Sequence, residues 1–308
     1  MKNSLFKLLL AFSLSLISIV NHIEAQEFEG RCDHCELGCP CGLQPHFELL
    51  PACAPLFRPF AADPRQVTYS VGWRFGDQLF NPHTAPVSFG NHVAFFRINN
   101  PWGCPGALQL ELEGGVWALF EHCDHIAPLD NADYYVGLPL VYCHGSWKHR
   151  LRLWHLSSHL GDEFMVEHPQ FVRTNPSAEY LDYFLSYEPS PCLRLYGGLG
   201  VILRSDETHP CKRFYAEYGG EWRYRWGNIC FPCSRIHGRP FFACHFRSYE
   251  DNNFDFDGTF VAGYEFTKCA GCYKRLRIFG EYHNGFSVEG QFNRLHTDYF
   301  ALRLSYGY

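Results

Sequence analysis

The sequence predicts an all-β protein: an antiparallel transmembrane β-barrel of about 12 strands, preceded by a short Cys-rich segment. Three observations predict it. The chain begins with an export signal, alternates with period two from residue 67 onward, and ends on a strand whose last residue is Tyr308.

The export signal comes first. Lys2 and Lys7 flank the start of an apolar run, Leu8 to Val20, broken only by Ser13, Ser15 and Ser18, and a small residue follows at Ala25. This is the pattern of a secretory signal peptide covering residues 1–25. Its removal takes away Lys2, Lys7 and Glu24 and moves the formal charge from −6 to −7, so nucleic acid is not an expected partner. Beyond Ala25 no stretch is long and apolar enough for a spanning helix, and a mature chain that enters a membrane must do so as a closed barrel.

Residues 26–66 lack strand periodicity and carry Cys32, Cys35, Cys39 and Cys41 among several prolines. They read as a periplasmic segment or a small plug, stapled by disulfides because it is too short to build its own core. All 15 Cys follow the signal peptide. In an exported chain disulfides are the default, with Cys230, Cys233, Cys269 and Cys272 as further candidates. The same cysteines could form a zinc knuckle, but the spacing between the two Cys-x-x-Cys pairs exceeds that of the usual zinc ribbon.

Residues 67–308 form the expected barrel. Val67, Tyr69, Val71, Trp73 and Phe75 alternate with Thr68, Ser70, Gly72 and Arg74, while Leu108, Leu110 and Leu112 alternate with Gln109, Glu111 and Glu113. Leu181, Tyr183, Leu185 and Tyr187 share one face, with Asp182 and Ser186 on the other; Phe260, Tyr264 and Phe266 oppose Thr259 and Glu265. Such alternation fits a soluble sandwich with the apolar face inward or a membrane barrel with it outward. Aromatic residues make up 17% of the chain, as interfacial girdles require. The mature chain holds four Lys against 20 Arg, which suits an arginine-lined lumen. Period and turn signals place strands near 67–75, 87–98, 107–121, 132–143, 149–157, 178–187, 192–203, 212–222, 239–248, 256–266, 273–283 and 297–308. An even count puts both termini on the periplasmic side, with 158–177 and 284–296 as long outer connections. Only 223–238 fits badly, being long for a periplasmic turn.

Several motifs in this region resemble a bacterial family known as domain of unknown function 1207. They are Ala62-Asp63-Pro64-Arg65, Glu113-Gly114-Gly115-Val116, Asn131-Ala132-Asp133-Tyr134, Leu195-Tyr196-Gly197-Gly198, and Glu281-Tyr282 with Gly285-Phe286-Ser287. The most distinctive is Arg150-Leu151-Arg152-Leu153-Trp154-His155-Leu156-Ser157-Ser158-His159-Leu160-Gly161-Asp162-Glu163. The resemblance implies an outer-membrane barrel of a Gram-negative-type bacterium, with lipid around it; it implies no activity. The strand Phe300 to Tyr308 is similar to the assembly signal of such barrels, which makes the barrel assembly machinery an expected partner. In its cysteines the chain is similar instead to the disulfide-linked envelope proteins of chlamydiae, which would make such proteins partners.

The candidate chemistry lies in that motif. His155 and Ser157 leave one strand on the same face, together with Leu151 and Leu153, so they point toward lipid. A polar pair there is costly unless it sits at the interface or performs chemistry. The arrangement is similar to that of two outer-membrane lipid hydrolase families, the phospholipase A barrel and the lipid A deacylase. Imidazole would take the serine proton, and Glu179, in phase on the next strand, would orient the ring. Calcium is a possible cofactor under that reading; otherwise none is expected. The plainer alternative makes Ser158, His159, Asp162 and Glu163 part of a hydrogen-bonded rim that orders an outer loop. A metal held by His155, His159, Asp162 and Glu163, with His122, Asp124 and His125, is a third possibility. Envelope component or narrow channel is the first functional expectation, lipid acyl hydrolase the second, and a secreted soluble disulfide-rich β domain the third.

Overall fold

The computed structural model describes residues 45–51, 55–121, 127–224, 229–231, 236–268 and 274–308, all within the unit Leu37–Tyr308. Its strands are β1 (His46–Leu49), β2 (Tyr69–Phe75), β3 (His83–Asn99), β4 (Ala107–Glu121), β5 (Leu129–His144), β6 (Trp147–Leu160) and β7 (Ser177–Ser190). They continue as β8 (Leu193–Ser205), β9 (Phe214–Arg223), β10 (Ile229–Phe231), β11 (Ile236–Tyr249), β12 (Gly258–Lys268), β13 (Arg275–Phe286) and β14 (His296–Gly307). One short helix, α1 (Asp162–Glu167), lies between β6 and β7. No described helix is long and apolar enough to cross a membrane.

Twelve of these strands close into an antiparallel barrel, and each of the twelve expected segments overlaps one of them. The last strand meets the first, from Phe300 opposite Phe75 to Tyr306 opposite Tyr69. Closure leaves no free edge, which is what allows a sheet to stand in hydrocarbon. At one end two-residue turns join β5 to β6 and β7 to β8, the first at Gly145–Ser146, where Gly145 supplies the positive φ of 55° that such a turn needs. Longer connections gather at the other end. Within the awkward segment 223–238, the described residues Ile229–Phe231 form β10, which pairs with Ile236–Gly238 where β11 extends past its pairing with β9.

Side-chain burial is inverted relative to a soluble protein. Val71, Leu138, Leu151, Leu153, Ile278, Leu302 and Leu304 are exposed on the outer wall, whereas Arg74, Glu113, Asp182, Arg194, Glu221, Glu265 and Arg303 are buried. On β14 the change occurs at every residue: Leu302 is 63% exposed and Arg303 8%. The soluble-domain expectation is therefore corrected, because its apolar rows would have to pack together in a dry centre. They face outward instead, and the polar rows fill the lumen.

The chain preceding β2 also joins the barrel. β1 runs along β3 from His46 opposite Asn99 to Leu49 opposite Phe96, and β2 rejoins the same edge of β3 at Ser70 opposite Ser88. Between them residues 55–68 leave the wall and pass through the lumen. Phe57 and Phe60 pack against Val141, Phe184 and Tyr196, and Ala61 and Ala62 against Phe241, Val261 and Phe279. Here the barrel encloses residues 55–66 of the segment read as periplasmic or as a small plug. Its apolar side chains find inside the barrel the core they are too few to make alone.

Candidate functional site

The outer-wall site forms from the pairing of β6 with β7. His155 stands directly opposite Glu179, and Ser157 opposite Ser177. The His155 Nδ1 atom lies 3.4 Å from Glu179 Oε1, and both side chains are more than a third exposed. Two of the three expected groups are thus brought together. Ser157 shares their face one step farther along β6, but His155 makes its polar contact with Glu179 and not with Ser157. His159, on the same face, rests its ring edge-on against Tyr134 at 5.5 Å.

The alternate residues of this motif point inward and do a different job. Ser158 is buried and donates to Asn131 Oδ1 at 3.0 Å, and its carbonyl accepts Gln291 Nε2 at 2.9 Å. Leu160 and Phe164 pack with Phe292 beneath the long outer connections. Asp162 and Glu163 open α1 and are exposed. The loop motif therefore divides: Ser158 anchors the loop between β13 and β14, while Asp162 and Glu163 face solvent. Among the described residues no three metal-ligating side chains cluster. His122, Asp124 and His125 lie outside the described residues.

The lumen holds most of the organised chemistry. From the short-turn end, the plug is clasped by charged side chains of the wall. Arg194 donates to the carbonyls of Arg58 at 2.9 Å and Pro59 at 3.3 Å, and Glu221 accepts the Ala61 amide at 3.1 Å. Arg58 in turn pairs with Glu188 at 3.0 Å. Phe60 stacks on Tyr196 at 3.8 Å, with the guanidinium groups of Arg150 and Arg194 over its ring. Farther on, Arg277 donates to Gln66 Oε1 at 3.2 Å and the Trp117 indole to the Gln66 carbonyl at 3.3 Å.

From the opposite end the loop 287–295 folds into the barrel to meet the plug. Arg65 bridges them, donating to the Val288 carbonyl and pairing with Asp133. The Gly290 amide donates to Asp133 Oδ2 at 3.1 Å. A Cβ on Gly290 would come within 2.6 Å of the Ser158 Cβ, so only glycine permits this approach. Glu289 pairs with Arg74 at 2.7 Å and accepts Ser287 Oγ at 2.7 Å. Burial alone would raise the Glu289 carboxyl, but Arg74, Arg65 and the Ser287 hydroxyl outweigh it and hold the group down at about 2. The expected outer connection is thus a lid whose anchoring carboxylate stays ionised.

A family model described as a protein of unknown function, DUF1207, matches residues 45–308. The chain belongs to the DUF1207 family. No curated protein sequence matches it. Among solved structures this DUF1207 chain is similar to outer membrane phospholipase A from Escherichia coli, at 10% identity and a TM-score of 0.51, covering 78% of this chain and 91% of that one. It is also similar to the Salmonella typhi outer membrane phospholipase, solved as a dimer with bound calcium, at 11% identity, a TM-score of 0.51, and 82% and 94% coverage. At these identities the likeness is one of fold, that of an outer-membrane barrel.

In this DUF1207 barrel the cysteines expected to pair lie outside the described residues or have undescribed side chains: Cys32, Cys35, Cys39, Cys41, Cys230, Cys233, Cys269 and Cys272. Of the described ones, Cys104, Cys192, Cys211 and Cys244 carry free thiols. Burial pushes the Cys211 thiol up to about 11, so it is no thiolate nucleophile. Sequence reasoning expected an arginine-lined lumen, and there Arg152 reaches Glu113 at 3.4 Å and Asp182 at 2.6 Å. It missed Phe57, Phe60, Asp63, Arg65 and Glu289. Their one visible signal was the family motif around Asp63 and Arg65.

Proposed function

We propose that the protein is an outer-membrane envelope component, exported on its N-terminal signal and sealed along its lumen, rather than a diffusion channel. The observation that carries this is the paired arrangement of outward apolar rows and an occupied lumen. Bilayer lipid is the partner that the exposed leucines and aromatics fit, and β14, with Phe300, Leu302, Leu304 and Tyr306 on its outer face, is the strand the barrel assembly machinery would engage. A photo-crosslinking residue introduced at Leu302 or Leu304 in the full-length protein in lipid vesicles should label lipid, and one at Ser305 should not. Lipid labelling at Ser305 with none at Leu302 would overturn the proposal.

A second reading is favoured by one observation, the 3.4 Å approach of His155 to Glu179 beside Ser157 on the lipid face. It makes the protein a lipid acyl hydrolase, as the name of the phospholipase sharing its fold suggests. The His155 imidazole would take the Ser157 proton as the hydroxyl adds to an ester carbonyl, then return it to the departing alcohol, leaving an acyl-serine for water to cleave. Glu179 would orient the ring and offset its charge. Calcium, bound in the Salmonella typhi enzyme, would be a cofactor only under this reading. Fatty-acid release from phospholipid micelles should then fall about 1,000-fold or more in Ser157→Ala. Equal release by variant and wild type, or none by either, removes this reading and leaves the first intact.

A further inference from the structure

Between the plug and the inner surface of the outer loops lies a cavity of about 120 Å³. That is room for about four water molecules or one small organic ion. Trp117, Tyr135, Trp154, Tyr180 and Tyr249 form much of its wall.

Its charged groups are unevenly matched. Arg65, Arg152 and Arg247 line the cavity, but each is already committed: Arg65 to Asp133, Arg152 to Asp182 at 2.6 Å, and Arg247 to Asp257 at 2.7 Å. Asp63 and Glu217 also line it, and among the described residues neither pairs with a Lys or Arg. Among the described residues Glu217 accepts only the Tyr249 hydroxyl, at 3.0 Å, and has His245 Nε2 3.6 Å away. Asp63 accepts the Arg65 backbone amide at 2.8 Å. The second oxygen of Asp257, a residue 5% exposed, has no hydrogen-bond partner among the described residues. Carboxylates left over inside a low-dielectric chamber walled by aromatic rings attract a cation, and ring faces add to that attraction. A bare metal ion fits poorly, because no three ligating side chains converge among the described residues.

We propose that this cavity binds a small organic cation, a primary amine or quaternary ammonium, held between the Asp63 and Glu217 carboxylates and the surrounding ring faces. The inference needs the barrel and its plug, but not the outer-wall chemistry. Trp117 and Trp154 in the wall provide the readout.

Choline and tetramethylammonium, titrated into full-length protein folded in detergent micelles, should change its tryptophan fluorescence saturably. Glu217→Gln and Asp63→Asn should each weaken binding about tenfold or more, and Ser157→Ala should leave it unchanged. Asp63 lies on the plug and Glu217 on the wall, so one variant serves if the other fails to fold by heat-modifiable gel migration. Glycerophosphocholine binding as tightly as choline assigns the cation to a lipid headgroup; its failure to bind assigns it to a free amine. No saturation by either cation, wild-type affinity in both carboxylate variants, or saturation by phosphate instead would overturn the proposal.

Discussion

Replacing Glu265 with Gln should lower the unfolding free energy of the barrel by about 3–5 kcal/mol, the cost of breaking a buried ion pair on one side. Glu265 is fully buried on β12 and receives four arginines: Arg223 at 3.1 Å, Arg239 at 3.2 Å, Arg275 at 3.1 Å and Arg277 at 3.0 Å. Glu221 compensates Arg223 and Arg194, at 2.8 Å and 3.1 Å, but the other three guanidinium groups pair with no carboxylate besides Glu265 among the described residues. Taking its charge away leaves like charges facing one another inside the wall. Arg239→Gln is the matched control. Arg239 is 29% exposed, so its loss leaves Glu265 three partners and should cost less than about 1 kcal/mol. Guanidinium titrations in lipid vesicles measure both. If the two variants cost the same, the arginines are not confined around Glu265 as described.

The second large effect is expected at Phe60. Its ring, 2% exposed, stacks on Tyr196 at 3.8 Å, meets Phe184 at 5.3 Å and lies under two guanidinium groups. Truncation in Phe60→Ala leaves a void at the centre of the lumen and should cost about 3–5 kcal/mol. The loss should also loosen the plug, because Arg150 and Arg194 lose the ring they cover while the hydrogen bonds of Arg194 to the carbonyls of Arg58 and Pro59 remain. A thermal or guanidinium unfolding curve reads the first effect. Unchanged stability would mean that the plug contributes nothing to the folded state.

The wall was legible and its contents were not, for a physical reason. A strand with lipid on one side and charge on the other writes its two faces into alternate residues, so Leu302, Leu304 and Tyr306 announce β14 without reference to any other part of the chain. The same rule brought His155 and Glu179 to one face, and their register across β6 and β7 did the rest. Residues 55–68 follow no local period. Each is fixed by partners far along the chain, as Gln66 is by Arg277 and Arg65 by Val288. Ser158 shows the limit within a single motif. Its sequence neighbourhood suggested a loop, but the alternation that turns His155 and Ser157 outward turns Ser158 inward, where it anchors the lid.

Planar-bilayer recording of the purified full-length protein tests most directly whether the lumen is sealed. The wild-type barrel should insert and pass no steady current, because the plug and the 287–295 lid meet across Arg65, and Phe60→Ala should show intermittent openings. A stable ohmic conductance from the wild type, unaffected by the Phe60 change, would contradict the account.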